Sequence, residues 1–271
     1  IALIGGGPVS AAGGGGNDYL FGYELFGWDD WLDGGPGADT MRGYDQDDTY
    51  VVDNPGDLVQ EAYQVTRSGY TSTASFGGND TVILEARMNY TLPTLVENLF
   101  IGEGAGGGWV RAGNGLDNVL VGNNSDNNLT GNGGNDTLSG GGGNDRLVGG
   151  AGINHLVGGP GDDVYEIDAD DIVYENVNAG IDTIRFDGSY DLLERLGTQI
   201  RGEVENLQLL GTGNHNGWGN NLNNYIEGNS GPNVLKGREG DDTLRGGPES
   251  LGGADAYDML EGGGGNDVYY V

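Results

Sequence analysis

From residue 113 onward the apolar positions are sparse and regular. Gly113, Gly122, Gly131, Gly140, Gly149 and Gly158 each open a nine-residue unit: GNGLDNVLV, GNNSDNNLT, GNGGNDTLS, GGGGNDRLV, GGAGINHLV and GGPGDDVYE. The first six residues of each are mostly Gly, Asn and Asp, which suit a backbone turning through left-handed conformations. The last three place one apolar residue between two others, so the pattern predicts a turn and then a very short strand. Period-2 alternation sends Leu120, Leu129, Leu138, Leu147, Leu156 and Tyr165 inward. A strand of about three residues cannot bury a face alone and must stack on copies of itself. Two units, about 18 residues, then make one turn of a parallel coil whose successive turns lie ~4.8 Å apart.

The same grammar recurs toward both ends. The first block holds GGGGNDYLF from Gly13, a degenerate stretch with three extra residues ending in DDWLD, GGPGADTMR from Gly34 and GYDQDDTYV from Gly43. The last holds GNNLNNYIE from Gly219, GNSGPNVLK, GREGDDTLR, the stretch GGPESLGGADAYDMLE with seven extra residues, and GGGGNDVYY from Gly262. The extra residues are expected to bulge as loops on one edge of the coil. Between blocks the glycine period lapses: residues 48–101 and 163–211 share the skeleton Y-x-x-D, D-x-V, D-T-[VI], Y-x-L and V-E-N-L. Their runs of Val, Ile, Leu and Tyr predict longer strands without ion sites.

A super-repeat overlies the nonapeptide, since VENLFIG at Val96 and VENLQLLG at Val204 are 108 residues apart. IALIGG resembles the tail of such a segment and GGGGNDVYYV resembles GGPGDDVYEI, so the chain is expected to be a window on a longer periodic protein. A competing reading takes the final Asp and its hydrophobic followers as the terminus of a secretion signal. The expected organisation is one continuous solenoid: a repeat block over 1–52, an interruption without ion sites over 53–101, a block over 102–166, a second such interruption over 167–211 and a block over 212–271.

Composition narrows the chemistry. Glycine supplies 58 of 271 residues without a Gly-X-Y period, which excludes collagen. Asp and Glu number 42 against 11 Lys and Arg, and the formal charge of −31 repels nucleic acid and anionic lipid. The expected partner is a cation. With 35% hydrophobic residues, the chain fits one that collapses only when that charge is neutralised. No apolar run is long enough to span a bilayer, and the first residues do not read as a signal peptide. With no cysteine, disulfides and thiolate metal sites are absent.

Stacking brings each sixth-position acid near its equivalent two units later, and like charges so placed call for a bound cation. Calcium fits because it takes about 6–8 oxygens from carboxylates and carbonyls. Full carboxylate pairs are Asp18 with Asp39, Asp30 with Asp48, Asp145 with Asp163, and Asp242 with Asp267. Carbonyls are expected to be aimed inward by the turn glycines Gly14, Gly16, Gly35, Gly37, Gly134, Gly141, Gly143, Gly159, Gly161, Gly240, Gly263 and Gly265. Mixed pairs are Asn118 with Asp136, Asn127 with Asp145, Asp136 with Asn154, Asn224 with Asp242, and Asn233 with Asp258. An Asn oxygen brings no charge, so these sites are weaker, or form an Asn ladder that satisfies backbone groups. Asp57, Glu61, Asp170 and Glu175, inside the interruptions, read as solvated charge.

GGGGNDRLV and GGPGDDVYE resemble the G-G-x-G-x-D-x-U-x nonapeptide of the RTX (haemolysin-type calcium-binding repeat) family. The resemblance implies an all-β fold, a right-handed parallel β-roll or β-helix solenoid. It further implies several Ca²⁺ ions bound between coils by the six-residue turns, and export of a secreted bacterial protein by type I secretion.

Catalytic signals are weak. His155 and His215 lie in unrelated turns, and there is no G-x-S-x-G, H-E-x-x-H or P-loop. Paired carboxylates are too numerous to single out a glycosidase site. Trp28, Trp31, Trp109 and Trp218 could stack on a sugar if they share a face, though such aromatics more often fill cores. The expectation is a non-enzymatic calcium-dependent structural module, secreted or on the cell surface. The alternatives are a subunit that assembles end to end into a filament, surface layer or adhesin, and an accessory or catalytic β-helix of a polysaccharide- or lipid-acting enzyme.

Overall fold

The protein is described by a computed structural model covering residues 8–22, 28–67, 70–75, 77–176, 179–193, 200–247 and 257–271. Several sequence expectations fall outside these residues: the IALIGG segment, the extra residues 23–27 and most of the insertion at 248–256. The chain divides into two compact units, Ile1–Leu138 and Ser139–Val271. Each is a stack of short parallel strands, a β-solenoid. Among the described residues the one helical element is a single 3₁₀ turn, Glu103–Ala105, and no helix is long and apolar enough to cross a membrane.

In the first unit one sheet runs through Ser10–Ala12, Trp31–Asp33, Thr49–Val52, Thr81–Leu84, Asn98–Ile101 and Val119–Val121. A second joins Tyr90–Thr91, Val110–Ala112 and Asn128–Gly133, and a third joins Tyr19–Phe21, Thr40–Arg42 and Leu58–Val59. In the second unit one sheet runs from Arg146–Ala151 through Val164–Ile167, Thr183–Phe186, Asn206–Leu209, Tyr225–Glu227 and Thr243–Arg245 to Val268–Tyr270. Two others flank it: His155–Val157 with Ile172–Tyr174 and Ile200–Arg201, and Tyr190–Asp191 with Gly217–Trp218, Val234–Glu239 and Met259–Gly264.

The register shows the two-unit rung directly. Trp31 pairs with Thr49, Val110 with Asn128, Arg146 with Val164 and Tyr225 with Thr243, each 18 residues on. Extra residues lengthen a rung without shifting its strands: Ser10 pairs with Trp31 and Thr243 with Val268. The interruptions keep stacking with less regular rungs, as Thr49 pairs with Thr81, Thr81 with Asn98, and Thr183 with Asn206. The long rung from Thr49 to Thr81 contains an antiparallel hairpin, Ala62–Arg67 with Tyr70–Ser75, which the sequence pattern did not announce.

In each unit the core is built from inward residues, one from the strand of each repeat. Leu120, Leu129, Leu138, Leu147, Leu156 and Tyr165 are all fully buried, as the alternation requires. Several strands of the interruptions are four residues long and bury two, such as Tyr50 and Val52 or Leu207 and Leu209. Burial of a Leu or Ile side chain contributes about 1.5–3 kcal/mol, and each inward residue gains it only when a rung lies above and below.

Candidate metal centre

The carboxylate ladder is built by backbone. Wherever a turn enters its strand, the sixth-position residue sits two places before the inward residue, and its N–H points along the stack. That N–H donates to the carboxylate of the next rung: Asp18 to Asp39 Oδ1 at 2.6 Å, Asp30 to Asp48 at 2.7 Å, Asp145 to Asp163 at 2.7 Å and Asp242 to Asp267 at 3.1 Å. Asn118 donates likewise to Asp136 and Asn233 to Asp258, both at 2.8 Å. The paired positions thus lie on neighbouring rungs, and one oxygen of the later acid in each pair meets an N–H of the rung before it.

The second oxygen is left over. Oδ2 of Asp18, Asp39, Asp48, Asp80, Asp163 and Asp242 is buried and has no hydrogen-bond partner among the described residues. A buried carboxylate oxygen without a donor or counter-charge is strongly disfavoured. Asparagine in the same place carries no charge, although Asn233 Oδ1 is likewise buried without a partner among the described residues. The amide Nδ2 donates to a backbone carbonyl: Asn118 to Glu97 at 3.2 Å, Asn224 to Glu205 at 2.8 Å and Asn233 to His215 at 2.6 Å. The Asn-bearing turns thus satisfy themselves in part and without charge, whereas the turns of Asp18, Asp39, Asp48, Asp163 and Asp242 present unpaired anionic oxygen.

Glycine makes room for both. The first glycine of a unit faces the sixth-position side chain, and a Cβ on Gly34, Gly43, Gly158 or Gly237 would overlap Oδ2 of Asp39, Asp48, Asp163 or Asp242. The fourth glycine rests on a carbonyl one rung away. A Cβ on Gly37 would overlap the Gly16 oxygen, and one on Gly161, where φ is 140°, the Gly143 oxygen. Gly35 approaches Gly14, Gly159 approaches Gly141, and Gly265 approaches Gly240 in the same manner, while Gly134 lies on Leu116 and Gly263 on Arg238. Carboxylate oxygens and closely apposed carbonyls are hard donors and suit Ca²⁺. The donor set fits the ion, with the aspartates and turn carbonyls named above as the residues that would hold it. Asp258 is exposed and Asp18 and Asp267 are half-buried, in contrast to the buried Asp30, Asp39, Asp48, Asp136, Asp145, Asp163 and Asp242.

Sequence reasoning missed a second ladder at the fifth position. Asn17 Oδ1 accepts from the N–H of Ala38, Asn144 from Asp162 at 3.0 Å, Asp117 from Asn135 at 2.7 Å and Asp241 from Asn266 at 2.7 Å. The signal was available, because this position is Asn or Asp in most units.

It also misread three acids of the interruptions. Asp57 is half-buried, and its carboxylate accepts from the N–H groups of Asp39, Asp53 and Asn54. Glu61 and Glu175 are 1% and 6% exposed, not solvated. Asp170 is exposed, as expected. One carboxylate oxygen from each of Asp48, Glu61 and Asp80 lies within 4.8 Å of the others, and Asp163, Glu175 and Asp182 repeat the arrangement. Burial, reinforced by neighbouring acids, pushes Asp48 up to about 8, Asp80, Asp163 and Asp182 to about 7, and Glu61 to about 10.

His155 is exposed and tilted against Tyr174, and His215 Nδ1 lies 3.1 Å from both the Leu210 carbonyl and Asn229 Nδ2 and 3.6 Å from Asp187 Oδ1. Trp31 and Trp109 are 43% and 41% exposed; Trp31 lies in one sheet of its unit and Trp109 immediately precedes a strand of another.

The family model for the RTX calcium-binding nonapeptide repeat (4 copies) matches residues 5–24, 29–54, 112–147, 139–171, 218–249 and 252–271, together more than half of the chain. No curated protein matches the sequence.

Proposed function

Because the chain belongs to the RTX calcium-binding nonapeptide repeat family and so carries a calcium-binding β-roll module of a kind typical of secreted proteins, we propose that it is exported unfolded and folds on meeting calcium outside the cell. The observation that carries this reading is the row of buried, unpartnered Oδ2 atoms in a chain of net charge −31. Without a cation, folding must bury those charges against their own repulsion; with one, each becomes a ligand. Binding to the folded state alone stabilises it by RT ln(1 + [L]/Kd), about 2.7 kcal/mol per site at a hundredfold excess over Kd. A few such sites decide the sign of a net stability of about 5–15 kcal/mol.

The aspartates at Asp18, Asp30, Asp39, Asp48, Asp136, Asp145, Asp163, Asp242, Asp258 and Asp267 are the ligands in this reading, and the module is structural rather than catalytic. Limited proteolysis tests the coupling of ion to fold: resistance in millimolar calcium with rapid degradation in chelator is expected, and equal resistance in both contradicts it.

A further inference from the structure

The first residue of a repeat unit is glycine because a side chain there points at the sixth-position carboxylate, as the overlaps at Gly43 and Gly158 show. At two rungs that place is taken by glutamate. Met41 pairs with Val59, so Glu61 falls opposite Gly43; Leu156 pairs with Val173, so Glu175 falls opposite Gly158. Each glutamate is thus delivered into the space that glycine elsewhere leaves empty. It meets Asp48 and Asp80 in one case and Asp163 and Asp182 in the other.

A tyrosine accompanies each. Tyr50 and Tyr165 stand at the inward strand position that Leu fills in most units, and both are fully buried. Their hydroxyls accept from the N–H of Gly43 and Gly158 at 2.8 Å and donate to Glu61 and Glu175. That donor accounts for one carboxylate oxygen. In the first cluster Asp48 Oδ2, Asp80 Oδ2 and Glu61 Oε2 remain without partners among the described residues, on side chains no more than 1% exposed; in the second Asp163 Oδ2 does. No ion pair among the described residues reaches any of the six acids.

We propose that Asp48, Glu61 and Asp80, and separately Asp163, Glu175 and Asp182, form a second kind of cation site, in which three buried side chains, one of them a glutamate in a glycine's place, hold a hard divalent ion where a repeat block gives way to an interruption. The inference goes beyond the nonapeptide sites, because neither glutamate belongs to a repeat turn. In the first cluster three unpartnered carboxylate oxygens, one from each acid, converge, and calcium's remaining positions of about 6–8 would fall to carbonyls or water. The competing chemistry is a cluster that shares protons instead, and burial does raise these acids. Glutamine imitates a protonated glutamate, so it separates the two.

The test counts calcium ions on the folded full chain by native mass spectrometry, with circular dichroism to verify the fold. Glu61→Gln and Glu175→Gln are each expected to lose one ion and the double variant two, while Asp170→Asn, at an exposed acid, loses none. An unchanged count in the folded Gln variants overturns the inference but leaves the nonapeptide sites standing. A wild-type chain that takes up no ion contradicts the calcium reading itself and this inference with it. Should the Gln variants fail to fold, Tyr50→Phe and Tyr165→Phe decide, with terbium as the probe. Loss of tyrosine-sensitised emission at unchanged terbium stoichiometry supports ions beside these phenols, and undiminished emission refutes them.

Discussion

The backbone N–H of Asp145 donates to Oδ1 of Asp163 across one rung at 2.7 Å. One oxygen therefore belongs to the scaffold, and the other, Oδ2, is free for an ion. Two substitutions separate these roles. Asp163→Ala removes the acceptor and leaves a buried N–H unsatisfied, at a cost of about 1–3 kcal/mol whether or not calcium is present. Asp163→Asn keeps an acceptor and deletes the charge, so it is expected to weaken calcium binding while raising stability in chelator. Chemical denaturation of both variants, with and without calcium, checks the pair.

Gly161 is a turn position intolerant of a side chain. Its φ of 140° and the overlap of an added Cβ with the Gly143 carbonyl oppose any other residue. Gly161→Ala is expected to destabilise the calcium-loaded protein by about 2–4 kcal/mol. Gly15→Ala, where a Cβ meets open space, is expected to change stability by no more than about 0.5 kcal/mol. Thermal melts in saturating calcium compare the two.

One turn is improvable. In GYDQDDTYV the fourth position is Gln46, exposed and held at a φ of 83°, where most units place glycine. A left-handed conformation costs a non-glycine residue about 1–2 kcal/mol. Gln46→Gly is expected to recover about 1 kcal/mol, read as a raised melting temperature in calcium.

How much of this was legible depended on which residues carried the signal. The inward column and the 18-residue rung followed from Leu120 to Leu156, because glycine spacing and alternation are local properties. The interruptions were misjudged because the glycines were taken as the mark of the ladder. The more durable mark is an acid or amide two residues before the inward apolar residue. Asp57 before Val59, Asp80 before Val82, Glu97 before Leu99 and Asp182 before Ile184 all keep it without a full glycine turn. Glu97 and Glu205 even replace aspartate in the ladder, accepting from the N–H of Asp80 and Asp182 at 2.9 Å. Glu61 was illegible for a different reason: its burial depends on falling opposite Gly43 in the stack, which no local pattern encodes.

Acidity should substitute in part for calcium. Asp48 is pushed up to about 8 and Asp80, Asp163 and Asp182 to about 7, all by burial, from an ordinary value near 3.8. A raised carboxyl binds more protons folded than unfolded, so stability falls as pH rises between its unfolded and folded values. In chelator, β-structure is expected to be greatest near pH 4 and to decline through pH 8. Calcium uptake over the same range should release protons. A pH titration by circular dichroism in chelator tests the sign, and stability that rises from pH 4 to 8 contradicts it.

The most direct measurement is a calcium titration followed by far-ultraviolet circular dichroism, repeated with magnesium. Magnesium demands near-ideal octahedral geometry and dehydrates reluctantly, so the account predicts a cooperative gain of β-signal with calcium and little with magnesium. A full β-spectrum at neutral pH in strong chelator, unchanged when calcium is added, would show that the unpaired aspartate oxygens are tolerated without an ion and would contradict it.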